Sequence, residues 1–319
     1  METICIGVDV GNFDTKTKLT TTPSGFEIYK TKPFGADCCL EYDGKFYVPD
    51  SQRFKYAEDK TVNDRAFILT LMGIAKEIIA TGKVSGAEDM QKYISDIKTV
   101  HLGVGLPPAH MPLYKDKLTQ YYDDRFWGGI TFIFDGYEFS FTPGICDVFP
   151  QGYAAIKARE RTTGQPLFGG IPDYYLIDIG GYTMDVVPVV GSRPQGNKCK
   201  TYERGILLLY DEIISGVKRT SGKTIDMNNI ESFLSGRPTM LSGEIQEYIE
   251  RESKDWTGEA INELRQSGIL FDSYPAAFTG GGPLRLKKYI DSNSVLSMHD
   301  YIPSPNANAE GFEFMIQAV

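Results

Sequence analysis

Histidine and cysteine are scarce in this chain, three and five of 319 residues. The cysteines, Cys5, Cys38, Cys39, Cys146 and Cys199, are odd in number and contain no Cys-x-x-Cys spacing. With so few imidazoles to complete a ligand set, they read as structural thiols rather than as a zinc site or a disulfide framework. Long apolar runs are missing as well: no stretch approaches the roughly 20 residues that a bilayer span requires. The opening residues, Met1-Glu2-Thr3-Ile4-Cys5-Ile6-Gly7, lack the basic region of a secretory leader. A cytoplasmic location without a membrane partner is therefore expected. Positive charge is in deficit, 33 Lys and Arg against 42 Asp and Glu for a net −9. That balance opposes direct, non-specific binding to nucleic acid, and the short run Arg285-Leu286-Lys287-Lys288 reads as a solvated helix face.

What is present is ordinary globular composition, 41% hydrophobic and 24% charged, over a length sufficient for two domains. Two segments share one design. Ile6-Gly7-Val8-Asp9-Val10-Gly11-Asn12-Phe13-Asp14-Thr15 and Leu176-Ile177-Asp178-Ile179-Gly180-Gly181-Tyr182-Thr183-Met184-Asp185 each run from apolar residues through Asp-x-Gly into a polar turn. β-branched residues before the Asp argue a strand, and the glycines argue a hairpin turn that a ligand can approach closely. Amides of such a turn can cradle phosphate oxygens. An Asp at the strand end can hold hydrated Mg²⁺ against them, because Mg²⁺ keeps most of its waters and needs few carboxylates. One copy alone would be an ordinary turn; two copies, each opening one half of the chain, imply a nucleotide between related halves.

The remaining pattern is mixed α/β. Short strands with turn punctuation follow the first clamp (Phe26 to Lys30, Lys45 to Val48), and Phe67, Ile68, Leu71, Ile74, Ala75, Ile78 and Ile79 recur at helical spacing up to Gly82. A buried strand is expected over Ile97 to Leu106, a Tyr-rich helix from Pro112 to Tyr122, a hairpin of Ile130 to Phe134 with Tyr137 to Phe141, and a helix after Pro150. The loop containing Thr162-Thr163-Gly164-Gln165-Pro166 is the expected domain boundary. The second half repeats the order: strands Tyr174 to Ile179, Met184 to Val190 and Lys198 to Glu203, a helix over Gly205 to Thr220, further helices to Gln266, and a strand ending at Phe278 before Gly280-Gly281-Gly282-Pro283 opens a helix. Identity between the halves is confined to the clamps.

With these residues in place, the chain resembles the actin/Hsp70/sugar-kinase ATPase superfamily and, within it, the bacterial actin-like ParM/StbA plasmid-segregation proteins. The resemblance rests on Asp9-Val-Gly11-Asn-Phe-Asp14-Thr-Lys16, Gly105-Leu-Pro107, Val148-Phe-Pro150-Gln151-Gly152, Leu176-Ile-Asp178-Ile-Gly180-Gly181-Tyr-Thr183-Met-Asp185 and Phe278-Thr-Gly280-Gly281-Gly282, in the family's order and across nearly the whole chain. The tail Asn306-Ala-Asn308-Ala-Glu-Gly311-Phe312 is similar to the closing helix of ParM-like proteins. The resemblance implies an actin-like α/β fold of two related RNase H-like domains with a nucleotide cleft between them: residues 1–165, closed by 301–319, and residues 166–300.

It also implies roles. Asp9 would hold Mg²⁺ through water, Gly11, Asn12, Phe13 and Asp14 would shape the first phosphate loop, and Lys16 would face the β/γ-phosphates. Gly180, Gly181, Tyr182 and Thr183 would form the second loop, with Asp185 supporting that hairpin and Asp178 orienting the attacking water or the metal. Gly280, Gly281, Gly282 and Pro283 would lie along the adenosine and α-phosphate. Glu203, Arg204 and Gly205 would begin the helix beside sugar and base, with Lys218 further along it. Where the family commonly has Glu after Pro, this chain has Gln151; an amide can still orient water, since phosphoryl transfer depends on positioning. Asp147 competes with Gln151 for that role.

The implied activity is ATP hydrolysis, with GTP as the alternative nucleotide, coupled to assembly and disassembly of a filament of copies of this chain. The implied biology is plasmid DNA segregation through a DNA-binding adaptor. A small-molecule kinase of the same superfamily, acting on a sugar or carboxylate, is the alternative. A non-hydrolysing actin homologue is a further reading, and an Hsp70-like chaperone is disfavoured because no peptide-binding domain is expected after residue 319.

Overall fold

The structure is a computed structural model that describes residues 2–50, 54 and 57–319. The chain forms two compact units, Met1–Gly164 with Asn306–Val319, and Gln165–Pro305.

The first unit is built on β1 (Glu2–Val10), whose residues Ile6 to Asp9 are all buried. Burial without alternation marks a strand covered on both faces. Next come β2 (Asp14–Lys16), β3 (Thr21–Pro23), β4 (Phe26–Tyr29), β5 (Leu40–Tyr42) and β6 (Lys45–Pro49), then helices α1 (Arg65–Thr81) and α2 (Ala87–Asp96). β7 (Ile97–Leu106), α3 (Met111–Phe126), β8 (Ile130–Phe134), β9 (Tyr137–Pro150) and α4 (Tyr153–Thr163) follow. Among the described residues the sheet order is β3-β2-β1-β7-β9-β8-β5-β6-β4. The apolar stripe read from the sequence buries Phe67, Ile68, Leu71, Ile74, Ala75 and Ile78 of α1 in the main core with Val8, Val104 and Phe134.

β9 departs from expectation. The hairpin with β8 does not stop at Phe141; the strand runs on to Pro150, parallel to β7. The strand carries a bulge after Pro143: Val100 and Leu102 of β7 face Pro143 and Cys146 of β9, leaving one extra residue on β9. His101 fills the gap, its Nδ1 accepting from the Ile145 N–H at 2.9 Å.

The second unit contains β10 (Tyr174–Ile179), β11 (Met184–Val190), β12 (Arg193–Pro194), β13 (Lys200–Tyr202), α5 (Ile206–Ser221), α6 (Met227–Leu234), α7 (Gly243–Gln266), β14 (Ala276–Thr279), α8 (Gly281–Asp291) and β15 (His299–Tyr301). Its order is β12-β11-β10-β14-β15, with β13 also paired to β11. The two units share strand directions. β1 is antiparallel to β2 and parallel to β7, itself parallel to β9; β10 is antiparallel to β11 and parallel to β14, itself parallel to β15.

The last helix, α9 (Ala307–Ile316), belongs to the first unit. Tyr301, expected in the closing segment, pairs instead with Phe278 in the second sheet. α9 seats directly on backbone. A Cβ on Gly7 of β1 would stand 1.9 Å from the Ala309 carbonyl oxygen, and one on Gly311 would stand 2.0 Å from that of Ala154 on α4. Only glycine permits those approaches.

Candidate functional site

In the first unit β1 ends at a tight turn: the Gly11 N–H donates to the Asp14 carbonyl at 3.1 Å, and the strand pair aligns Asp9 with Lys16. The turn of the second unit is closed by the corresponding bond, Gly180 N–H to the Thr183 carbonyl at 2.9 Å, with Asp178 facing Asp185 across β10 and β11. The shared design of the two segments therefore extends to shared backbone geometry.

Asp9 is buried and linked to two amides of its own unit. Gln151 Nε2 donates to Oδ1 at 2.6 Å and Asn308 Nδ2 to Oδ2 at 3.4 Å. The Gln151 N–H donates to the Leu106 carbonyl at the end of β7 at 2.8 Å, which anchors the turn that delivers this side chain. A carboxylate only accepts, so the Gln151 amide is oriented with Nε2 on Asp9 and Oε1 left as an acceptor. Asp147 is engaged elsewhere: Lys115 of α3 pairs with its Oδ1 at 3.1 Å, and the same oxygen accepts from the Val148 N–H at 2.8 Å. Lys16 is half-buried, its backbone is paired in the sheet, and among the described residues its side chain makes no hydrogen bond or ion pair. Lys60 brings a second cation to the strand ends, donating to the carbonyls of Val10 at 2.8 Å and Gly105 at 3.4 Å. It borders a cavity of about 60 Å³ whose lining includes Gly11, Asn12, Ser24 and Arg65.

In the second unit the α5 N-terminus docks on the turn. The Ile206 and Leu207 N–H groups donate to the carbonyls of Gly180 and Gly181 at 3.0 and 2.8 Å. A Cβ on Gly205 would fall 2.2 Å from the Gly181 oxygen, so that glycine is required for the contact. Asp185 is buried and accepts from Thr201 Oγ1 at 2.6 Å and Thr183 Oγ1 at 3.2 Å, bracing the hairpin. Burial and the charge of Asp211 push the Tyr182 phenol above its ordinary value. Gly280, at φ +93°, lies against Asp178: a Cβ there would be 2.4 Å from its Oδ1. Gly281, Gly282 and Pro283 form the first turn of α8.

Three residues expected beside sugar and base lie on α5 or just before it. Arg204 is held by α7, bonded to Glu259 at 2.7 Å and Glu263 at 3.3 Å with its guanidinium over the Trp256 ring. Glu203 is exposed. Lys218 is exposed near the far end of α5, roughly 18 Å along the helix from Ile206 at about 1.5 Å per residue.

Mg²⁺ fits these residues in one manner. Among the described residues no group of three or more His, Cys, Asp or Glu side chains is placed to hold a metal ion, and both Asp9 oxygens already accept amide hydrogens. A carboxylate so occupied suits contact through metal-bound water, the usual habit of Mg²⁺ with nucleotide phosphates. Lys60 and Asn308 were not assigned site roles from the sequence. Asn308 lay within the quoted tail motif, but its Asp9 contact spans 299 positions.

No family model and no curated protein sequence matches the chain. Solved structures do. A 15-stranded ParM filament from Clostridium botulinum aligns over 100% of both chains with a TM-score of 0.75 and 17% identity. An archaeal actin homolog in complex with ADP covers 99% of this chain and 100% of its own at TM-score 0.71 and 16% identity. Bacillus thuringiensis ParM with ATP covers 100% of this chain and 99% of its own at TM-score 0.66 and 11% identity. The chain has an actin-like fold over its whole length.

Proposed function

We propose that this chain is a nucleotide-driven, filament-forming actin-like ATPase that works in plasmid DNA segregation through a DNA-binding adaptor. The observation that carries the reading is the pair of identically closed turns, Gly11 to Asp14 and Gly180 to Thr183, each following a strand-end aspartate in a sheet of the same topology. Their amides and Lys16 suit nucleotide phosphates. The whole-length likeness to proteins described as a filament and as ADP and ATP complexes supports nucleotide binding and self-assembly. The net charge of −9 is the reason an adaptor, rather than this chain, is assigned the DNA contact.

Asp9 and Asp178 would hold Mg²⁺ through its waters, and the ion would neutralise charge on the transferring phosphoryl group. Gln151, turned by Asp9, offers Oε1 to the attacking water. Its contribution is orientation, the dominant demand of phosphoryl transfer. The triphosphate state favours the assembling conformation and hydrolysis removes that bias. Assembly by a heterologous, head-to-tail contact propagates instead of closing.

The test is light scattering and high-speed pelleting with Mg-ATP, Mg-GTP, Mg-ADP or no nucleotide, with released phosphate followed in parallel. Scattering should rise with triphosphate and decay as phosphate appears. Absence of assembly across a wide concentration range, with phosphate transferred to a sugar or carboxylate in a substrate screen, would instead identify a small-molecule kinase.

A further inference from the structure

The C-terminal helix contributes a side chain to the Asp9 cluster. Asn308, in the first turn of α9, is 8% exposed with both ends of its amide engaged. Its Oδ1 accepts from the Gly152 N–H at 2.7 Å and its Nδ2 donates to Asp9 Oδ2 at 3.4 Å. A backbone N–H only donates and a carboxylate only accepts, so the two partners dictate the direction of the Asn308 amide. Gln151, the neighbour of Gly152, takes the other Asp9 oxygen. One buried amide thus ties the end of β1, the turn between β9 and α4, and α9 into a single hydrogen-bonded unit. α9 is seated at backbone distance here, with its Ala309 carbonyl over Gly7 and its Gly311 on Ala154.

We propose that Asn308 is a positioning residue of the phosphate site: through it the C-terminal helix fixes the direction of the Asp9 carboxylate and holds the Gln151–Gly152 turn against it. The proposal rests on the nucleotide-binding reading of Asp9 given above. Its physical basis is that outer partners of a metal-facing carboxylate set its orientation, and that leaving a buried donor or acceptor unsatisfied is costly.

The experiment titrates Mg²⁺ against the full chain in the presence of the fluorescent nucleotide mant-ATP, with a parallel binding curve in EDTA and a urea midpoint measured without nucleotide. Asn308→Ala should raise the Mg²⁺ concentration for half-maximal mant-ATP response by roughly tenfold or more, with affinity in EDTA unchanged. Asn308→Ser carries the test if the alanine variant fails to fold; its hydroxyl can still fill the space at Gly152 but is too short to orient Asp9. A lowered urea midpoint with an unchanged Mg²⁺ midpoint would make Asn308 structural only and overturn the proposal. A wild type that binds no mant-ATP at any Mg²⁺ concentration would overturn the functional reading and this proposal together. A wild type that binds, beside variants that match its Mg²⁺ midpoint, would overturn the proposal alone.

Discussion

Gln151 and Asp147 are close in sequence but have different partners, Asp9 for one and Lys115 for the other. If orientation of water is the role of this connection, Gln151→Ala should slow phosphate release on the order of 100-fold while ATP-driven assembly persists, and Asp147→Ala should turn over near the wild-type rate. Phosphate release and pelleting on the same samples check both; the reverse pattern would transfer the role to Asp147. Asp178→Ala should abolish hydrolysis while circular dichroism shows the fold intact, and normal turnover in that folded variant would remove Asp178 from the mechanism. Much of the cluster is legible in the sequence, because Asp-x-Gly turns are local: the bond closing each one spans three residues. Asn308 and Lys60 are not, since a side chain that reaches the site from another element leaves no periodic trace. Arg204 is a different case: the resemblance implies a place beside sugar and base, and the ion pairs with Glu259 and Glu263 on α7 are long-range partners that its local sequence does not announce.

At the scale of elements, legibility follows burial pattern. β7 and β10 were readable to the residue because runs such as Leu102 to Leu106 are wholly buried. α2 was not anticipated: among its described residues only Ile94 is buried, so no stripe announces it. β9 extends past Phe141 through a bulge, and Pro-Gly is a dipeptide that local pattern alone assigns to a turn. β15, three residues long, is held partly by side chains of α8. Asp291 accepts from His299 Nε2 at 3.0 Å, the Tyr301 hydroxyl at 2.7 Å and Lys287 Nζ at 2.5 Å. Burial raises the Asp291 carboxyl, but the bonds from Lys287, His299 and Tyr301 prevail and lower it to about 2. A depressed carboxylate stabilises the fold above its unfolded value, about 3.9, and that contribution is lost as pH falls through the folded value. The urea midpoint of the wild type should therefore exceed that of Asp291→Asn at pH 7 and 5, with the gap closing between about pH 4 and pH 2. A gap independent of pH would show that the clasp does not depend on charge. The seat of α9 can be probed likewise: Phe312, fully buried against Phe149, should cost about 3–5 kcal/mol on replacement by Ala, read from urea unfolding.

Across the whole molecule, the first unit is discontinuous, its sheet coming from the first 164 residues and its closing helix from residues 306–319. A chain shortened before Asn306 should lose protection in β1, β7 and α4, which α9 covers, while the second unit keeps its hydrogen-exchange protection. Uniform protection in the shortened chain would show that α9 is dispensable. The same discontinuity sets an order of events during synthesis. Everything the first unit needs except α9 is made before the second unit begins, yet β1 must wait with its Gly7 face uncovered. At about 5–20 residues per second, translating residues 165–305 takes roughly 7–28 s. For that interval the earliest-made part of the protein is an open sheet in need of protection, and the part made after it can complete its own core first.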